Sequence, residues 1–174
     1  MPLAALPELL EFDRHAVLAG EAWRLWTGHL MHYSPQHALV DLATGLAAGA
    51  IALRRTGARR LMLALGLGAP FISAGLLLIA PQCQYYRGAS GIDIMLVVLA
   101  GATLWPGAGR LARGALLLAA AALAAKIAAE ALGQAQGWSA LPPDVAIAWQ
   151  AHLLGALAGV IAAIVLPFNR AKRA

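Results

Sequence analysis

The chain has 174 residues, of which 61% are hydrophobic and 12% charged, with a net charge of +5 and a mean hydropathy of +0.71. Soluble domains carry about 25% charged residues, so these values exclude a water-facing globular domain and make lipid the expected solvent. The basic residues fall in short clusters between apolar runs, which argues against a nucleic-acid partner, and the single cysteine, Cys83, excludes an intramolecular disulfide.

The length allows one domain. Its expected division is an N-terminal and interfacial segment over 1–35, a helix bundle over 36–168 and a basic tail over 169–174. Residues 1–22 are mixed in character and show no signal-peptide pattern. The stretch from Trp23 to Pro35 is amphipathic and aromatic, too polar to span, and reads as interfacial. His29 within it is expected to be a solvated surface histidine.

Five apolar runs follow, at about Gln36–Leu53, Leu61–Ala80, Ser90–Trp105, Gly114–Leu132 and Val145–Leu166. About 20 residues cross a 30 Å hydrocarbon core, so each run is long enough to span with some tilt. The fold class expected is therefore all-α, a polytopic membrane bundle. Nine of the thirteen basic residues lie in the 54–60 loop, the 110–113 loop and the C-terminal tail. Alternation of the five helices puts those three places on one side, and the positive-inside rule makes it cytoplasmic. Trp138 and Trp149 then fit an outer aromatic belt, and Trp105 an inner one.

This topology gathers polar groups at the opposite, outer depth. His37 stands at the start of the first helix, Ser90 at the start of the third and His152 near the start of the fifth. Ser90 sits between glycines in Tyr86-Arg87-Gly88-Ala89-Ser90-Gly91, where the first turn of a helix offers unpaired N–H groups to an oxyanion. A serine needs a base, and His152 can supply one near neutral pH. Gly155 and Gly159 form a GxxxG step that lets a neighbouring helix approach. If the neighbour is the third helix, meeting it through Gly88 and Gly91, the Ser90 hydroxyl should come within about 3.5 Å of a His152 nitrogen.

Other polar residues gather around these. His37 and Asp41 are four apart and share a helix face. An ionised Asp41 can only accept hydrogen bonds, whereas a protonated one could donate to an oxyanion; with no basic residue near it in the helix, the protonated form is expected. Asp93, three residues after Ser90, and His32 are candidates for tuning the site. Lys126 and Glu130 have i, i+4 spacing and read as a mutually neutralised pair rather than a site. No His/Cys cluster has zinc spacing, so no metal or other cofactor is expected.

Together, Trp23-Arg24, His32, His37 with an acidic residue four further on, Gly88-Ala89-Ser90-Gly91 and Ala151-His152-Leu153-Leu154-Gly155 with Gly159 resemble the rhomboid intramembrane serine proteases. The resemblance covers roughly residues 21–173. It implies a Ser90–His152 dyad without a carboxylate, an oxyanion hole from His37 and the Ser90 N–H, and a transmembrane protein as substrate. The Gly20-Glu21-Ala22-Trp23-Arg24-Leu25-Trp26-Thr27-Gly28-His29 lead-in and the Tyr85-to-Gly91 block are similar to the rhombosortase branch. That branch is associated with processing C-terminal Gly-Gly-type tails of exported bacterial proteins, which implies a bacterial inner membrane with the site facing outward.

Three departures stand out. Asp41 occupies a position where many rhomboids have Asn, and Ile94 one where an aromatic or histidine is common. The family core has six helices and only five are visible here; a start upstream of Met1 or a naturally short chain would each account for the first. Two other readings compete with the protease: an inactive rhomboid-like binding protein, and a polytopic haem or transport protein using His37 and His152 as ligands or proton carriers.

Overall fold

The computed structural model describes residues 6–134, 141–142 and 145–166. Trp138, the 169–174 tail and most of the loop before Val145 lie outside the described residues. Three short helices come first, α1 (Leu6–Leu10), α2 (Arg14–Leu18) and α3 (Arg24–Thr27), with a 3-10 turn over Gly28–Leu30. The strand β1 (Phe12–Asp13) pairs antiparallel with β2 (Tyr85–Tyr86), Phe12 opposite Tyr86. The long helices are α4 (Pro35–Thr56), α5 (Ala58–Ile79), α6 (Ser90–Leu104), α7 (Arg110–Ala131) and α8 (Trp149–Val165). Four spans, the third running on through a 3-10 turn to Gly107, are long and apolar enough to cross a membrane, and α8 is a shorter apolar helix. The molecule is a helical membrane bundle, as composition implies.

Local chemistry sets the ends of these helices. Ser34 caps α4 by accepting from the His37 N–H at 3.0 Å, and Pro35 occupies the first turn, where no N–H is needed. Gly57, at φ +82°, turns the chain directly into α5. At the far end of α5, Arg14 donates to the carbonyls of Leu76, Leu77, Ala80 and Cys83 at 2.7–3.2 Å. It closes a helix end that would otherwise leave carbonyls unpaired.

Pro70 lies inside α5 and has no N–H for the carbonyl of Gly66. The Trp26 indole N–H supplies the missing donor at 2.9 Å. The amphipathic segment therefore repairs a membrane helix as well as lying beside it. His29, from the same segment, is 1% exposed and is not the solvated histidine expected. Its Nε2 lies 3.1 Å from the Ala69 carbonyl and 3.0 Å from Ser73 Oγ, and Ser73 Oγ donates to the Leu25 carbonyl. A carbonyl can only accept, so His29 carries its proton on Nε2.

The helix α6 is central, packed between α4 and α8, with Leu99 and Met95 essentially inaccessible. α7 stands apart, and Glu130 is its one buried side chain among the described residues.

Candidate active site

The third and fifth long helices, α6 and α8, meet through glycine. A Cβ on Gly155 would lie 2.0 Å from the Gly91 carbonyl oxygen, and one on Gly159 would lie 2.7 Å from the Met95 carbonyl oxygen. A Cβ on Gly91 would in turn lie 3.0 Å from the Ala151 carbonyl oxygen. Backbone-to-backbone approach on this scale is possible only without side chains between. Gly88 does not join this contact. At φ +133° it turns the chain before α6 and faces the His37 ring, where a Cβ would lie 2.9 Å from His37 Nε2.

The glycine contact brings the first turn of α6 beside the first turn of α8. Ser90 Oγ lies 2.9 Å from His152 Nε2. On the other side of the ring, His152 Nδ1 lies 2.6 Å from Glu130 Oε2. Lys126 Nζ donates to the other carboxylate oxygen of Glu130 at 2.5 Å and stands 3.5 Å from His152 Nδ1. The Lys126–Glu130 pair therefore forms, but it is not self-contained as its spacing implied. Glu130 also sits on the histidine, so the pattern of a histidine with no carboxylate beside it does not hold for His152. One signal pointed there: α7 must end at the depth where α8 begins, and Glu130 lies in its last turn.

Asp41 is buried beneath the same turn. Its Oδ2 accepts from the Ala89 N–H at 2.8 Å and lies 3.1 Å from His32 Nε2 and 3.4 Å from His37 Nε2. A backbone N–H only donates, so Oδ2 is an acceptor here. Two histidines lie beside Asp41, although its own helix offers no lysine or arginine near it, and its Oδ2 ties down the Ala89 N–H. His32 thus reaches the site through Asp41. The His37 ring packs edge-on to His32 at 5.1 Å and stacks parallel to Tyr33 at 6.1 Å, with its Nδ1 buried and lacking a hydrogen-bond partner among the described residues.

Asp93 lies one turn further along α6, buried against Gly45 of α4. It lines the same cavity as Ser90 and His152, and no base pairs with it among the described residues. Tyr86, which sequence reasoning did not single out, is buried beside Ser90 and the Gly91 N–H without a well-formed hydrogen bond. Burial pushes its phenol well above the usual range, so the hydroxyl stays protonated. Arg87 braces the turn from outside, 2.6 Å from Glu11 Oε2 and over the Tyr33 ring.

A cavity of about 650 Å³ opens over Ser90 and His152, bounded by α4, α6 and α7 and lined also by His37, Asp41, Val97 and Leu123. Its walls are mainly apolar, which suits an extended or helical apolar chain. Among the described residues no three His, Cys, Asp or Glu side chains gather as metal ligands. A haem iron on His152 would have to displace Ser90 or Glu130, since both ring nitrogens are engaged.

No curated protein matches the chain. A family model described as the Rhomboid domain matches residues 19–168, which takes in every long helix and all the residues of this site. The chain therefore belongs to the rhomboid family of intramembrane proteases, whose substrates are transmembrane proteins held in the bilayer.

Proposed function

We propose that this chain is an active serine endopeptidase that cuts a peptide bond in or beside a substrate's transmembrane segment. The observation that carries the reading is the 2.9 Å separation of Ser90 Oγ and His152 Nε2 inside an apolar cavity. In this reading His152 Nε2 takes the Ser90 proton as Oγ bonds to the scissile carbonyl carbon. The carbonyl electron pair moves to oxygen, stabilised by the Ser90 N–H in the open first turn of α6 and by the His37 side chain across Gly88. Collapse breaks the C–N bond, His152 returns the proton to the leaving amine, and water then hydrolyses the ester by the same route.

The whole of residues 1–174 acts as one unit in this reading, with the outer ends of α4, α6 and α8 facing away from the cytoplasm. The substrate proposed is an exported protein with a C-terminal Gly-Gly-type membrane tail, as in the rhombosortase branch; the support is the Gly20-to-His29 lead-in and the Tyr85-to-Gly91 block. A bacterial inner membrane is the matching location. An inactive binding role is disfavoured because a binder has no need to keep a serine on a histidine nitrogen.

The test is labelling and cleavage with purified protein in detergent or nanodiscs. A fluorophosphonate should label wild type and not Ser90→Ala, and His152→Ala should lose both labelling and cleavage of a tail-bearing transmembrane peptide. Equal labelling of wild type and Ser90→Ala would end the protease reading.

A further inference from the structure

We propose that Glu130 is a positioning residue for His152, so that this rhomboid works with a Ser90–His152–Glu130 triad. The inference rests on the protease reading above and adds a member to its machinery. Glu130 has 2% of its side chain exposed and is the one buried side chain of α7 among the described residues, on a helix that otherwise offers its surface to lipid. Burying a carboxylate there is costly unless its oxygens are matched. Both are matched, one by Lys126 Nζ and one by His152 Nδ1 at 2.6 Å.

The arrangement selects the tautomer. A carboxylate oxygen 2.6 Å from a ring nitrogen requires a proton between them, and with Lys126 on the other oxygen that proton sits on Nδ1. The Lys126 contact to Nδ1, at 3.5 Å, is too long to compete for the ring with the opposite proton placement. Nε2 is then the lone-pair nitrogen, and it faces Ser90 Oγ. When Nε2 takes the Ser90 proton, the ring becomes a cation with both nitrogens protonated. The Nδ1 proton remains on the ring, and the Glu130 charge stabilises the cation without itself taking a proton.

Two measurements test this. In wild type with 15N-labelled histidine, NMR should find His152 in the neutral Nδ1–H form, with a downfield proton that disappears in Glu130→Gln. In cleavage assays Glu130→Gln should lower kcat by about 10²–10⁴-fold, with KM nearly unchanged. Glu130→Asp should recover part of the loss. The proposal is overturned if wild-type His152 holds its proton on Nε2. It is also overturned if Glu130→Gln keeps wild-type kcat. Absence of fluorophosphonate labelling in wild type, with the Nδ1–H form present, would instead remove the protease reading and leave the orientation of His152 by Glu130 standing.

Discussion

Gly155 packs directly on Gly91, a Cβ at Gly155 falling 2.0 Å from the Gly91 carbonyl oxygen. That contact sets the separation of α6 and α8, and through it the reach of His152 to Ser90. Gly155→Ala should force the helices apart. Overpacking of this kind costs about 1–3 kcal/mol, and a 1 Å misplacement of reacting groups about 100-fold in rate. Gly114→Ala, where nothing lies within 4 Å, should be neutral or slightly stabilising. Thermal unfolding in detergent and cleavage rates would check both; a Gly155→Ala protein with wild-type activity would mean that the helices adjust freely.

Asp41 holds the Ala89 N–H at 2.8 Å and so fixes the turn that presents Ser90. Asp41→Asn keeps an acceptor oxygen and should retain substantial cleavage. Asp41→Ala removes it and leaves the Ala89 N–H unpaired, at about 1–3 kcal/mol, or about 5- to 150-fold in turnover. An Asn variant as inactive as Ser90→Ala would show that the negative charge itself is required.

His29 makes stability depend on pH. Burial, outweighing its hydrogen bond to the Ala69 carbonyl, pushes its pKa down from 6.5 to about 4. Between those values the unfolded chain binds a proton that the folded chain does not, so stability is complete above pH 6.5 and falls as pH drops towards 4. The loss is about 3 kcal/mol. His29→Gln should flatten the fall in melting temperature over this range, and an unchanged slope would assign the effect to other groups.

Cys83 reports the topology. It lies in the loop between α5 and α6, at the Ser90 end of the bundle, and should react with a membrane-impermeant maleimide on intact cells. Burial pushes the thiol up, only partly offset by Arg14, so labelling should quicken as the buffer is made alkaline. Reaction only after lysis would place Ser90 on the cytoplasmic side.

Much of this was written in the linear chain. Apolar runs of membrane length, basic loops and the order of His37, Ser90 and His152 determine the bundle and put those groups at one depth, because transfer to lipid is a property of a segment. The Gly155–Gly159 step likewise marks the helix face that can approach another backbone. Rotation about a helix axis and contact between distant segments are different, since they depend on which side chains meet across a gap. Lys126 and Glu130 read as a pair because neighbours on one helix are visible in the sequence, while the His152 side of Glu130 is made only when α7 ends beside α8. For the same reason the sequence leaves His29 solvated, although Ala69 and Ser73 of α5 enclose it. Tertiary packing alone decided these, because a buried polar group is tolerated only where its partners arrive from elsewhere in the chain.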